Sequence, residues 1–237
     1  MLVLALATAK ELRAALPGAP PGLNPGDTVP VALPGRQALA LVAGVGPVGA
    51  ALRLGRLLGA LGPGAVAGVL NVGVAGSFDT AALPLGAVAV AVRETWPEYG
   101  LRTRGGVDAA ALGFPVGHAH SGPVGPSLTL EPDAAARALG LEPPAAWPRV
   151  PALTVAAASA DAATADALRA AHGALLENME GYALALACLE AGLPFLEVRA
   201  VSNAVGSRRA EDWALPAALA ALPKILAALG LGPEGPP

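Results

Sequence analysis

Aromatic residues make up only 3% of the 237 positions, and there is a single cysteine, Cys188. With so few rings the core has to be built from Ala, Val and Leu, whose small size lets strands and helices approach closely. One cysteine excludes an intrachain disulfide. Its place in an apolar helical pattern makes it a small core residue in a reducing compartment. Basic blocks are missing as well: the formal net charge is -3, with no cluster of Lys or Arg of the kind a phosphate-backbone footprint needs. That excludes nucleic acid and leaves small molecules as partners. Nor is there a long unbroken apolar run. Leu57 to Val92 carries one charge, Asp79, but Pro63, Asn71, Pro84 and repeated glycines cut it into strand-length pieces, as in buried parallel strands and unlike a membrane span. The N-terminus has no basic region or cleavage site, and Lys10 and Glu11 end its apolar run. The expectation is a cytoplasmic protein with no membrane partner.

What is present alternates between strand and helix signals. Leu2 to Ala7 reads as a buried strand and Ala9 to Leu16 as a helix stopped by Pro17-Gly18. After a loop to Asp27, Val29 to Leu33 and Gln37 to Ala43 read as a hairpin around Pro34-Gly35, and Pro47 to Leu61 as a helix. Val66 to Val72 predicts a strand leading into a glycine-bearing turn, Gly73 to Ser77, with another strand at Gly86 to Val92. Arg93 to Pro151 has few periodic runs and one short helix, Ala134 to Leu139. The last third predicts strand Ala152 to Ala157, helices Ala162 to Ala171 and Gly181 to Ala191, strand Phe195 to Val201, and a closing helix within Trp213 to Leu229 that Pro216 and Pro223 interrupt or redirect. Such alternation implies a single α/β domain with helices on both faces of a sheet. Residues 1–230 form that domain, followed by a Gly/Pro-rich flexible tail, 231–237.

Gly44, Gly46 and Gly49 make a G-x-G-x-x-G between strand and helix. A dinucleotide site also needs an acid about 20 positions on for the ribose hydroxyls. No Asp or Glu stands between Asp27 and Asp79. These glycines instead let backbone amides approach another ligand, or pack helix on strand. His118 and His120 have neither an H-E-x-x-H pattern nor a cysteine cluster beside them, so no metal and no cofactor is expected.

The informative polar residues gather at predicted strand ends and helix starts, where open α/β sheets hold ligands: Glu11, Asn71 to Ser77, Glu177-Asn178-Met179-Glu180-Gly181 and Arg199-Ala200-Val201-Ser202-Asn203. Their order and spacing resemble the nucleoside phosphorylase and nucleosidase family, from the first strand to the last helix. The resemblance implies an enzyme with a central mixed, twisted sheet closed in part as a barrel. It also implies a homo-oligomer, dimer or larger, whose neighbouring subunit closes the pocket, here through Trp96 to Gly100.

By that resemblance Glu180 accepts hydrogen bonds from the ribose 2′ and 3′ hydroxyls, with Met179 against the sugar and Asn178 and Ser202 as adjoining contacts. A carboxylate has lone pairs enough for both hydroxyls, and its charge stabilises an oxocarbenium-like sugar. The alternative is a helix N-terminal acid favoured by the macrodipole. Asn203 faces the purine. Family members acting on 6-aminopurines carry Asp there to protonate N7, which Asn cannot do. Its amide donates to a 6-oxo group and accepts from a protonated N7, implying a hypoxanthine-like base. The branch that releases hypoxanthine is similar in this Asn and in Val205-Gly206-Ser207-Arg208. The alternative for Asn203 is a cap after a strand.

Family phosphorylases carry an Arg where this chain has Asn71, so a phosphate dianion loses a charge-assisted contact and water is the expected nucleophile. Glu11 matches, with a one-residue shift, the acid that holds that water in nucleosidases; the other reading is a solvated first-turn helix acid. Val74, Ala75 and Gly76 lie under sugar and base through their amides, with Val74 where relatives have Ser. The stretch Ala156 to Asp161 offers only small residues and Ser159 where relatives place an aromatic. Arg208 and Trp213 cover the 5′ side, where Arg pairs with a carboxylate and Trp with a ring; the other readings are a solvated loop Arg and a Trp stapling the last helix. The rivals are a methylthioadenosine/adenosylhomocysteine nucleosidase, an inosine phosphorylase and a non-catalytic nucleoside-binding module.

Overall fold

The computed structural model describes residues 1–232. Residues 233–237, most of the tail expected from 231 onward, lie outside the described residues, while Leu231 is buried and its amide donates to Leu226 O. Strand β1 (Leu2–Leu6) is buried at all five positions, as its unbroken apolar run dictates for a strand covered on both faces. Thr8 then caps α1 (Ala9–Ala15). The hairpin β2 (Thr28–Leu33) and β3 (Arg36–Val42) turns at Pro34-Gly35, and β2 is the sheet edge, with alternating exposure. Helix α2 (Pro47–Leu61) starts with Pro in its first turn, where no amide hydrogen is needed.

Next come β4 (Gly68–Ser77) and β5 (Val88–Thr95). The region from 93 to 151 holds the small hairpins β6 (Leu101–Thr103) with β7 (Gly106–Asp108) and β8 (Gly117–Ala119) with β9 (Gly122–Val124), the one-turn α3 (Ala109–Leu112), β10 (Ser127–Thr129), the expected short helix as α4 (Pro132–Leu139), and the start of β11 (Arg149–Thr154). Then follow α5 (Ala162–His172), β12 (Leu176–Asn178), α6 (Gly181–Glu190), β13 (Phe195–Ala204) and α7 (Leu215–Ala228). Helix α7 runs unbroken through Pro223, and Pro216 sits in its first turn.

Among the described residues nine strands form one sheet. Five of them close a ring: β4 pairs with β13, β13 with β5, β5 with β11, β11 with β12, and β12 back with β4. Parallel and antiparallel pairs mix, as expected for a partial barrel. Small apolar side chains from all five, including Ala75, Ala91, Ala152, Leu176 and Val201, meet in one cluster, which requires them to point into the ring. Helices cover both faces: α1, α4 and α7 pack on one, α2 and α6 on the other. Cys188, wholly buried on α6, is the core residue its pattern predicts, and burial pushes its thiol well up.

The predicted turn at Gly73 to Ser77 is instead the second half of β4. Glycine is used there for space. A Cβ on Gly73 would stand 2.7 Å from Arg199 Nη1 and 2.9 Å from Glu11 Oε1, and one on Gly76 would stand 3.0 Å from Asn203 Nδ2. Strand β12, with only three residues, escaped the sequence reading although it closes the ring. Strand β13 outruns the predicted end at Val201 by way of an irregularity: Val201 pairs with Ala75 and Asn203 with Gly76, leaving Ser202 as the extra residue. Such a bulge re-aims the following side chain.

Leu222 on α7 is fully buried against this core, whereas Lys224, on the same helix, is exposed. Leu222→Ala is expected to cost about 2–5 kcal/mol and Lys224→Ala less than about 0.5 kcal/mol, read as midpoint shifts at constant slope in denaturant titrations.

Candidate active site

At the end of the sheet where the parallel strands β1, β4 and β13 stop, beside the antiparallel β12, a cavity of about 220 Å³ opens. Larger concavities exist, such as one of about 430 Å³ between the end of α1, β2 and α7, but that one is lined by aliphatic side chains and backbone without a titratable group. The smaller cavity brings together all twelve residues singled out above: Glu11, Val74, Ala75, Gly76, Ser159, Asn178, Met179, Glu180, Ser202, Asn203, Arg208 and Trp213. Ala7, Thr8, Val45, Ala158, Glu177 and Leu215 complete its wall.

Glu11 is at once a helix cap and a wall of the cavity. Its Oε2 accepts from the Thr8 amide (2.9 Å) and hydroxyl (2.7 Å), while Thr8 Oγ1 accepts from the Glu11 amide, which closes a capping box. Its Oε1 accepts from the Val74 amide at 3.0 Å and keeps a lone pair for another donor. The solvated first-turn acid is therefore excluded, because only 4% of Glu11 is exposed.

Glu180 stands at the N-cap of α6 but does not cap it. Asn178 does so: its Oδ1 accepts from the amides of Glu180 (3.0 Å) and Gly181 (2.8 Å). This frees the Glu180 carboxylate, whose Oε1 accepts from the Gly46 amide (3.1 Å) and whose Oε2 lies 3.9 Å from Arg199 Nη1. The middle glycine of the G-x-G-x-x-G thus serves a carboxylate of its own chain. The room at Gly44 and Gly49 is taken by the Arg53 guanidinium, which donates to Ala43 O. Burial raises the Glu180 carboxyl above its ordinary 4.5, and Arg199 and the Gly46 amide pull it back.

Beneath these residues lies a network the sequence did not announce. Glu197 and Arg199 alternate with Val198 and Ala200 on β13, so they point to the side of Val201, into the ring. Arg199 is fully buried. Its Nε donates to Glu197 Oε1 at 2.7 Å, and its Nη2 donates to the Asn71 side-chain oxygen at 2.6 Å, with Asn71 donating in turn to Ala5 O. Asn71 is therefore a brace for this cation. Glu94, also fully buried, accepts from Thr154 Oγ1 (2.7 Å) and Asn178 Nδ2 (2.5 Å). Glu94 and Glu197 converge on the missing Cβ of Gly181, and Glu197 Oε2 has no partner. Desolvation first, then the neighbouring Glu197, push the Glu94 carboxyl well above 4.5. Two carboxyl groups this close in a dry interior cannot both ionise cheaply.

Asn203, half-buried at the bulge, caps no helix. Its Oδ1 accepts from Ser202 Oγ (2.8 Å) and its Nδ2 donates to Ala204 O (3.1 Å), leaving one N–H and one lone pair free. Asn178 borders the cavity, yet its amide is wholly engaged within the protein. Trp213 is 39% exposed at the rim, its Nε1 donates to Ser207 O, and the Arg208 guanidinium sits 5.8 Å from its ring centre. It is thus no core staple. The sequence motifs located the wall of the site. They included Arg199 without its role as a buried cation and missed Glu197 and Glu94, whose charges on largely apolar strands were the available signal.

The sequence profile of the phosphorylase superfamily matches residues 3–229. Futalosine hydrolase of Thermus thermophilus is 35% identical over 201 residues, 82% of this chain and 81% of that protein. Futalosine hydrolase of Streptomyces coelicolor is 38% identical over 156 residues, 65% of this chain; the match spans 61% of that protein's length. In fold, the chain is similar to a 5′-methylthioadenosine/S-adenosylhomocysteine nucleosidase of Colwellia psychrerythraea solved with adenine, with a TM-score of 0.71, 24% identity, and 97% and 93% of the two chains covered.

The raised Glu94 carboxyl makes its neutral form the stabilising one. That contribution is complete below 4.5 and is lost as pH rises through the folded-state value. Glu94→Gln, which cannot ionise, is expected to flatten this part of the alkaline decline in stability measured by denaturation across pH. Glu197→Gln keeps an acceptor for Arg199 Nε but removes the charge that balances the buried guanidinium, and is expected to cost about 3–5 kcal/mol.

Proposed function

Because the chain belongs to the phosphorylase superfamily, we propose that it hydrolyses the N-glycosidic bond of futalosine, releasing hypoxanthine and dehypoxanthine futalosine as a step of menaquinone biosynthesis. The observation that carries this reading is an amide at position 203 in the same cavity as two buried carboxylates, Glu11 and Glu180. The curated relatives named futalosine hydrolase support the substrate.

In this reading the purine lies toward Asn203, the ribose over Met179 and Glu180, and the 5′ substituent toward Arg208 and Trp213. Glu11 holds water below C1′ and takes its proton as the C1′–O bond forms. The electron pair of the breaking C1′–N9 bond moves into the purine, which takes a proton from solvent at N7; the free Asn203 N–H meets O6, and Oδ1 accepts from the N7–H so formed. Glu180 holds the 2′ and 3′ hydroxyls, and its negative charge stabilises the positive sugar at the top of the barrier. Val74, Ala75, Gly76, Ser159, Asn178 and Ser202 shape the pocket. Asn71, engaged by Arg199 and Ala5, offers no cation to phosphate, which supports water as the nucleophile. None of these steps calls for a cofactor or metal.

The protein is proposed to act in the cytoplasm as a homo-oligomer, dimer or larger. Among the described residues no helix is long and apolar enough to cross a membrane. Val45, in the cavity wall, and Val48 and Leu52 on α2 are exposed apolar side chains that support burial by a second subunit beside the site.

The test is purine release, followed by chromatography without phosphate, from futalosine, inosine, adenosine and methylthioadenosine. Hypoxanthine from futalosine, with little from inosine, is the expected result. Adenine release would assign the methylthioadenosine activity instead, and release only after phosphate is added would assign a phosphorylase. Glu180→Gln is expected to lower turnover by about a hundredfold or more, whereas in a mere binding module it would change no turnover. Because burial raises Glu180, the acid limb of turnover is expected above pH 4.5, with Arg199, Glu11, Glu197 and the Gly46 amide as the groups that set its position.

A further inference from the structure

Glu177 has no part in the reaction just described, yet it lines the cavity and only 8% of it is exposed. Its place in the ring gives it a relation to Asn203 that neither motif reveals. On β12, Glu177 pairs directly with Gly76 of β4, and on the other side of β4 Asn203 of β13 pairs with the same Gly76. Directly paired residues project on the same side of a sheet. The two side chains therefore stand on one side, separated only by a residue that has none. Two strand spacings put their Cα atoms roughly 10 Å apart; Val205 Cγ2 and Asn203 Nδ2 cover Gly76 itself, and the edge of a purine, running from N7 through O6 to N1, would lie above them with a polar group at each end.

Ser159 donates to the Glu177 carboxylate twice, from its amide to Oε1 (3.1 Å) and from its hydroxyl to Oε2 (2.5 Å). These bonds fix the carboxylate and leave each oxygen a lone pair. The loop carrying Ser159 is held independently at Ala156, whose amide donates to Glu98 Oε1 at 3.0 Å. The loop thus has an anchor besides Glu177. Burial raises the Glu177 carboxyl, the two Ser159 bonds lower it, and nearby Glu98 raises it further.

We propose that Glu177 accepts the N1–H of the purine base and, with Asn203, makes the site choose hypoxanthine over adenine. The proposal rests on the reading above that a 6-oxopurine is the leaving base. The chemistry discriminates because a 6-oxopurine carries a hydrogen on N1, whereas a 6-aminopurine presents a bare lone pair there. An ionised carboxylate accepts only, so adenine would set lone pair against lone pair in a dry pocket and leave a buried acceptor unpaired. Asn203 alone discriminates less, since its amide offers both a donor and an acceptor to the other end of the base.

The test is competitive inhibition of futalosine hydrolysis by free hypoxanthine and free adenine. It is measured on the wild-type protein, on Glu177→Gln and on Glu177→Asp, with the ratio of the two inhibition constants taken from the same sample so that it does not depend on the fraction folded. Wild type is expected to favour hypoxanthine by at least about tenfold. In Glu177→Gln the amide accepts from Ser159 and turns its NH2 toward N1, so the ratio is expected to fall by about tenfold or to invert, and kcat/KM for futalosine to drop. Glu177→Asp, which keeps an acceptor-only group, is expected to retain a preference for hypoxanthine with both constants weakened. An unchanged ratio in Glu177→Gln, with only a lower melting temperature, would make Glu177 a loop anchor and overturn the proposal alone. Release of adenine and no hypoxanthine by the wild type would overturn the reading it rests on as well.

Discussion

The site depends on one buried cation. Arg199 lies wholly inside the ring, where an unpaired guanidinium would be untenable, and Glu197 bonds it directly while Glu180 stands 3.9 Å away. The charge balance sets what the cavity can do. Glu180 can remain a carboxylate in a dry place because Arg199 and the Gly46 amide favour its ionised form, and a dry carboxylate is worth more to a positive sugar than a hydrated one. For the third acid, Glu94, the pull of Arg199 is outweighed by desolvation and by Glu197, so its carboxyl stays well above its ordinary range, and Asn178 Nδ2 donates to both acidic side chains. Asn178 then caps α6 and leaves Glu180 free to face the cavity.

Glycine is the geometric counterpart of that charge. Gly73, Gly76 and Gly181 are absent side chains whose places are occupied by Arg199 and Glu11, by Asn203 and Val205, and by Glu94 and Glu197. A methyl group at any of the three would push a polar atom out of position. Close approach of backbone and charge is also what the small-residue composition permits, since a core of Ala and Val lets five strands close around a small interior.

Much of this was legible in the sequence and some was not, for identifiable reasons. Strand β1, helices α1, α2, α5, α6 and α7 and the first hairpin follow from apolar periodicity and caps. The glycines of β4 read as a turn because a sequence does not say whether glycine is needed for its φ or for the space beside it; here it is the space. Strand β12 is too short for any periodicity, and ring closure rests on nonlocal pairs that no local pattern encodes. The cavity wall was legible because its residues cluster in two motifs at strand ends. The ion pairs beneath were overlooked because Glu94 lies on a different strand from Glu197 and Arg199, and only the closing of the ring brings the three together. Glu11 serves two places at once, since one carboxylate both completes a capping box and faces the cavity.

The central claim is that water, oriented by Glu11 and drawn to a sugar stabilised by Glu180, displaces a 6-oxopurine. The most direct measurement is futalosine turnover in isotopically labelled water without phosphate, with mass analysis of both products. One labelled oxygen in the hydroxyl at C1′ of the sugar product, one unlabelled hypoxanthine per turnover, and loss of both in Glu11→Gln is the predicted result. Hypoxanthine formation that requires phosphate, or that persists unchanged in Glu11→Gln, would contradict it.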